Sequence, residues 1–326
     1  MKKEKVIIND RWGNVDNPFL TVITPVYNRR NVLKRAIDSV ERQSFRDIEY
    51  IIIDDGSTDS IDDIVEEFME STELPVMFVK KNNGGVHTAR NAGYKRARGK
   101  LILCVDSDDE LKFNACEIFY KEWQKIPNED KKYYWQMKAQ FVDQNGQDAG
   151  SRFPDGINEL PIEESWKYFS MAKGDQMGCR VAKVMKENLF PEPEGVKFVT
   201  ENVRWIPLER KYRSWGINET VAICHREGDD HLSKGDKKKT KQDLRNMFWN
   251  VVYRLNNFET FVLSFVQRLE SICKYCVLAH LLMRQDDKKI VKKFKLKGVQ
   301  NNFWKIFFWM PSMIFAKIYY NRKVKV

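Results

Sequence analysis

The 326-residue chain predicts an α/β fold. Short apolar runs of strand length alternate with segments of helical period. The polar residues that stand out gather where those strands end, the edge at which open α/β sheets bind ligands.

The run Leu20-Thr21-Val22-Ile23-Thr24-Pro25-Val26-Tyr27-Asn28 is rich in β-formers and reads as a strand stopped by Pro25. Asn31 to Val40 follows as an amphipathic helix with Val32, Leu33, Ile37 and Val40 inward. Tyr50 to Ile53 is the next strand, ending in Asp54-Asp55-Gly56-Ser57-Thr58-Asp59, where Ser57, Thr58 or Asp59 can cap the helix marked by Ile61, Ile64, Val65 and Phe68. Val76 to Val79 is a third strand, Gly84-Gly85 breaks a loop ahead of a helix over 87–97, and Leu101 to Val105 is a fourth strand. That last strand runs into Asp106-Ser107-Asp108-Asp109. Carboxylates forced together raise each other's pKa, and a hard divalent cation shared with a diphosphate relieves the conflict. A solvated Asp-rich turn is the competing reading of that motif.

Beyond residue 110 the pattern is looser. Phe113 to Trp123 reads as a helix, Tyr133 to Phe141 as a strand with a turn at Gln144-Asn145-Gly146, and 149–175 as loops. Asp175 to Cys179 stands at the entrance to a short helix over Val181 to Asn188; a helix over Glu201 to Lys211, a strand over Glu219 to Cys224 and a polar loop, Gly228 to His231, follow.

Charge separates the ends of the chain. Residues 237–326 carry 20 Lys or Arg against 5 Asp or Glu, whereas residues 1–236 carry 36 against 41. A nucleic-acid binder would show its basic charge across a recognition module, so nucleic acid is not an expected partner. The split suggests a catalytic domain over 1–235, with halves at 17–110 and 111–235, and a basic, aromatic helical region over 236–326. Leu244 to Arg254 and Phe258 to Met283 have the apolar faces of helices. The uncharged run Ile306 to Ala316 is 11 residues, too short for a bilayer that needs about 20. Flanking lysines and aromatic residues favour an interfacial segment on an anionic membrane; packing on the body or on a second subunit is the alternative. The charged stretch Met1 to Arg11 lacks a signal-peptide core, which predicts a cytoplasmic protein, peripheral on the membrane if the tail binds it. Cys273-x-x-Cys276 lies in an apolar helical run and reads as buried thiols rather than a metal or redox pair.

Taken together and in order, Pro25-Val26-Tyr27-Asn28, Asp54 to Asp59, Asn82 to Gly93 and Asp106-Ser107-Asp108-Asp109 resemble the family 2 glycosyltransferases, inverting enzymes of GT-A fold. The resemblance is ordered over about 18–112, weaker through Met177 to His231, and absent from the tail. It implies a mixed central sheet with flanking helices, an α-helical C-terminal extension, Mn2+ or Mg2+, a nucleotide-diphosphate sugar donor (a UDP-sugar foremost) and a glycan or lipid-linked acceptor. Thr24, Pro25 and Tyr27 would then line the base and ribose pocket, with Asp54 beside Asp55, and Asp55 on the base. Asp106 and Ser107 would face ribose or diphosphate, and Asp108 would be the principal metal ligand. Asn82, Gly85 and Arg90 would cross the donor. Gln176, Met177 and Gly178 would meet donor or acceptor sugar, and His225 and His231 the diphosphate, His225 also as a metal ligand.

The catalytic base is the departure. Phe190-Pro191-Glu192 resembles the family's turn before a Glu-Asp pair, but this chain has Thr200-Glu201-Asn202. An amide cannot accept a proton at neutral pH. Glu201 taking over, Asp109 serving instead, or a site impaired at Asn202 are the three readings. A catalytically impaired sugar-nucleotide binder and a nucleotidyltransferase of related fold are the rival functions; the absence of G-x-G-x-x-G after the first strand excludes a Rossmann dehydrogenase.

Overall fold

The computed structural model describes residues 4–154, 158–160, 162, 174–225, 239–257 and 264–323; the loop expected at 228–231, His231 included, lies outside them. The chain divides into two compact units, Met1–Leu189 with Leu208–Glu227, and Phe190–Pro207 with Gly228–Val326. Phe190–Pro207 therefore groups with the C-terminal region and not with the rest of 111–235.

The first unit is a ten-stranded mixed sheet in the order β1-β4-β3-β2-β5-β9-β7-β10-β6, with β8 paired to β10. The strands are β1 (Lys5–Ile8), β2 (Leu20–Val26), β3 (Ile48–Asp54), β4 (Val76–Lys80), β5 (Leu101–Cys104), β6 (Glu110–Leu111), β7 (Tyr134–Asp143), β8 (Glu159–Leu160), β9 (Gln176–Val181) and β10 (Arg213–Cys224). β4, β3, β2 and β5 are parallel. Crossovers α1 (Arg30–Glu41), α2 (Asp62–Ser71) and α3 (Val86–Arg96) connect them. β2, β3 and β5 are buried along their whole length, which is why they read as unbroken apolar runs. Leu33, Ile37 and Val40 of α1 join Leu20, Val22, Tyr50, Phe78 and Leu103 in one core.

Pro25 does not stop its strand. β2 continues to Val26 against Asp54 of β3, while its pairing with β5 ends at Ile23 and Cys104. Val105 N–H donates to the Ile23 carbonyl at 2.9 Å. Proline, with no N–H to offer, stands just beyond that point, so the chain after β5 is free to turn away as Asp106.

Four strands were not legible, among them the two-residue β6 and β8. Lys5–Ile8 pairs antiparallel with β4 at the sheet edge, and its flanking charges hid a β-branched run. Gln176–Val181, expected as a helix entrance, is instead a strand antiparallel to both β5 and β7; neighbours on both sides override its modest strand propensity. The capping expectation at 57–59 also fails. α2 begins at Asp62 behind Ile61, with no side-chain cap.

The first unit further holds α4 (Ala115–Lys125) and α5 (Ala182–Glu187), and α6 (Asn202–Glu209) follows. The second unit carries α7 (Lys241–Asn256), α8 (Phe265–Arg284), α9 (Lys288–Lys293) and α10 (Val299–Lys323). Thr240 with Asp243, and Ser264 with Gln267, form capping boxes that satisfy free N–H groups at the starts of α7 and α8. Leu244, Phe248 and Val252 pack on Ile272, Tyr275, Cys276 and Ala279. Cys276 is buried and Cys273 partly so, and both are free thiols.

α10 uses its two faces differently. Asn301, Ser312 and Ala316 are buried, and the Trp309 carbonyl lies 3.0 Å from His280 Nε2 on α8. The opposite stripe, Phe303, Ile306, Phe307, Met310 and Ile314, is 64–77% exposed. No helix among the described residues is long and apolar enough to cross a membrane.

Candidate functional site: the carboxyl ends of the parallel strands

β3 and β4 follow β2 toward one edge, and β5 lies on its other side. The strand order therefore reverses between β2 and β5, and a crevice opens outside their carboxyl ends. Asp106 to Asp109 emerges from β5 at that crevice, and Tyr27 to Arg29 from β2.

The tip of β2 is clipped to the loop after β3. Asn28 takes φ 52°, a left-handed conformation that Asn tolerates better than most residues. Its Oδ1 accepts from the Thr58 N–H at 2.8 Å and the Thr58 hydroxyl at 3.2 Å, and its own N–H donates to Ser57 Oγ at 3.1 Å. Asp59 Oδ2 accepts the Arg30 N–H at 3.0 Å. Ser57, Thr58 and Asp59 thus fasten the start of α1 rather than α2. Tyr27 is left exposed, whereas Thr24 and Pro25 are buried. The Thr24 hydroxyl accepts from Tyr50 at 2.9 Å inside the core, so it supports the site from beneath instead of lining it.

The Asp54-Asp55 pair is structural in a definite sense. Asp54 Oδ1 accepts the Ser57 N–H at 2.8 Å. Asp55 accepts the N–H of Gly84 at 3.0 Å and of Gly85 at 2.7 Å, and pairs with Lys81. Its carboxylate is committed to the loop before α3, where the resemblance had it on a base. Gly85 at φ 98°, ψ 159° occupies a region open essentially to glycine. Gly56, at φ 77°, is approached so closely by Asn83 N that a Cβ would stand 2.7 Å away. Asn82 is exposed on the same loop.

Three guanidinium groups surround the acidic turn. Arg90 Nη2 lies 3.0 Å from Asp106 Oδ1, Arg35 donates to the Asp108 carbonyl at 2.7 Å, and Arg29 Nε is 3.9 Å from Asp108 Oδ2. Sequence reasoning missed Arg29 and Arg35, which lie outside the motifs and reach the turn only through the direction of α1. Asp106 and Asp108 keep part of their surface open, while Ser107 and Asp109 are buried. The Asp109 carboxyl is pushed up to about 8, first by burial and then by the negative charges of Asp106 and Asp108. His225 turns Nε2 to Glu110 Oε2 at 3.1 Å. Among the described residues no group of three or more His, Cys, Asp or Glu side chains gathers to hold a metal.

Pairing of Leu103 with Cys179 brings Gln176 to Gly178 beside the carboxyl end of β5, where the acidic turn begins. Met177 and Gly178 are buried in β9, opposite Ala139 and Lys138 of β7. Gln176 donates to the Ser151 carbonyl at 2.7 Å. Glu201 and Asn202 belong to the second unit, exposed at the start of α6; Glu201 Oε2 accepts the Trp205 indole N–H at 3.0 Å.

The family model for glycosyl transferase family 2 matches residues 21–134, the segment that builds this crevice. This part of the chain belongs to glycosyl transferase family 2. Among curated relatives of this family 2 domain, glycosyltransferase GlyA of Streptococcus pneumoniae serotype 4 is 37% identical over 103 residues, 32% of this chain and 15% of GlyA. An uncharacterized glycosyltransferase of Rickettsia felis is 33% identical over 215 residues, 62% of this chain and 32% of that protein. The chain thus spans a third or less of the length of these two relatives. In structure it is similar to S. aureus TarS 1–349, solved in complex with UDP-GlcNAc, with a TM-score of 0.56, 16% identity and coverage of 92% of each chain. The likeness extends the GT-A-like fold over nearly the whole chain, with its mixed sheet and C-terminal helices.

Proposed function

We propose that this protein transfers a sugar, with inversion, from a nucleotide-diphosphate donor to a glycan or lipid-linked acceptor in the assembly of a cell-surface polysaccharide. The supporting observation is the acidic turn Asp106–Asp109 at the strand-order reversal, ringed by Arg29, Arg35 and Arg90. When an acceptor hydroxyl displaces a diphosphate from the anomeric carbon, negative charge grows on the leaving group and has to be stabilised. Arg29 and Arg90 carry positive charge to that place, and exposed Tyr27 offers a ring face to a base. A UDP-sugar is the first donor to test.

The residues fit a hard divalent ion. Mg2+ is held through one or two carboxylates together with substrate phosphates, not by a closed protein cage. Asp106 and Asp108 supply such a partial set, and the upward push on Asp109, from burial first, includes the negative charge of Asp106 and Asp108, which a cation would offset. Asp108, with Asp106, would hold Mn2+ or Mg2+, which supplies Lewis-acid stabilisation of diphosphate when bound. The acceptor proton has to pass to a general base, and Glu201 is proposed for it on residue chemistry. Full-length protein incubated with a panel of nucleotide sugars and Mn2+ or Mg2+ should release nucleotide diphosphate from one donor; failure to bind or turn over any of them removes the proposal.

A second proposal concerns the tail. The exposed stripe of α10 is aromatic and apolar, and Val299–Lys323 contains no Asp or Glu. Such a face suits the interface of an anionic bilayer, with Lys305, Lys317, Arg322 and Lys323 on the same helix.

A further inference from the structure

A cavity of about 800 Å³ lies at the amino-terminal ends of β2 and β5, the sheet edge opposite the acidic turn. Lys100, Lys131, Lys132, Lys183 and Lys186 line it, with Glu187 as its one acidic residue. They arrive from separate places: the turn before β5, the 3-10 turn before β7, and α5. This concentration runs against its surroundings, since residues 1–236 carry more Asp and Glu than Lys and Arg.

Among the described residues none of the five lysines makes an ion pair. Lys131 donates to Asn128 Oδ1 at 2.8 Å and sits 5.6 Å from the centre of the Trp123 ring, which holds its ammonium at the cavity. Its pKa is lowered, by burial first and then by the charge of Lys100. Like charges gathered in a concavity repel one another, and an anion with several charges removes that repulsion. The lining has no arginine fork, so recognition here depends on point charges and not on bidentate geometry.

We propose that this cavity binds a ligand bearing several phosphate groups, at a site separate from the sugar-nucleotide crevice. Five lysines against one Glu carry more positive charge than a single phosphate neutralises. The ligand's phosphates could belong to a soluble phosphate-containing chain or to lipid headgroups, and the two sources separate experimentally.

Inorganic tripolyphosphate titrated into the full-length protein at low salt should bind saturably. The variant Lys131→Gln/Lys183→Gln/Lys186→Gln should bind at least about tenfold more weakly, a loss of 1.4 kcal/mol or more. Lys183 and Lys186 are exposed and Lys131 is half-buried, and Gln keeps a polar end in its place, so the variant should keep the wild-type circular dichroism, and its affinity for nucleotide diphosphate should not change. A second variant, Lys292→Gln/Lys293→Gln/Lys295→Gln in the basic tail, should bind tripolyphosphate as the wild type does. Phosphatidylglycerol vesicles form the other arm: weaker flotation of the cavity variant assigns the site to headgroups, and unchanged flotation with lost tripolyphosphate binding assigns it to a soluble ligand. The proposal is overturned if tripolyphosphate does not saturate, if the cavity variant binds within twofold of wild type, or if only the tail variant loses affinity.

Discussion

Asp55 accepts the Gly85 amide at 2.7 Å, tying the tip of β3 to the glycine from which α3 departs. The same carboxylate takes the Gly84 amide and Lys81, so one buried side chain sets the shape of the whole 81–85 loop. Asp55→Ala leaves two amides without their acceptor and takes the counter-charge from Lys81, whose ammonium keeps only the Asn82 carbonyl and the Thr88 hydroxyl. Removing a buried charged partner costs about 3 kcal/mol. Urea unfolding should show that loss, together with weaker nucleotide binding; a cost below about 1 kcal/mol would mean that the loop is held by other contacts.

Asp108→Asn tests the metal. The Arg35 bond goes to the Asp108 carbonyl, so the substitution leaves that contact and the fold in place while removing a charged ligand. Turnover should fall about 100-fold or more, as the loss of several kcal/mol of charge stabilisation implies. Wild-type activity in the presence of EDTA would end the metal proposal.

For the base, Glu201→Gln should lower kcat roughly 100- to 10,000-fold with donor affinity kept. The amide still offers an oxygen to the Trp205 indole, so the local helix start is preserved. Asn202→Asp raising the rate would show that the natural site works below its capacity.

Proton linkage should appear in the helical unit. Burial, and the charge of Arg284, lower the His280 pKa, against a raising contribution from the Trp309 carbonyl. A lowered imidazole means that the unfolded chain binds its proton first as the pH falls. The stability tied to neutral His280 is therefore present above about 6.5, its ordinary value, and is lost as the pH drops from there toward the lowered one. Urea denaturation followed by tryptophan fluorescence at pH 7.5 and 5.5 should show this decline, and His280→Gln should flatten it.

Membrane attachment is better tested by substitution than by removing 298–326. Asn301, Ser312 and Ala316 are buried in the second unit, so that truncation would uncover the core beside α8. Phe307→Ser with Ile314→Ser changes only exposed positions. Flotation with anionic vesicles should drop severalfold without a change in unfolding midpoint, and high salt should weaken the wild type only in part, since apolar burial is not screened. Equal flotation would leave the stripe to contact between copies of the chain.

The sequence by itself determined the parallel half of the sheet. Its strands are buried on both faces and so appear as continuous apolar runs, and each acidic or glycine-rich end marks where a strand stops. It also determined that Asp106 to Asp109 would stand together, because they are adjacent in the chain. Tertiary structure alone decided which of the marked residues reach the crevice. Thr24 and Asp54 to Asp55 carry the right motif, yet burial and the hydrogen-bond demand of neighbouring amides and hydroxyls turn them into supports. Arg29 and Arg35 carry no motif, yet the path of α1 brings them to Asp108. β1 and β9 belong to the same class of decision: each is stabilised by strands distant in sequence, and no local pattern records a partner that only folding supplies.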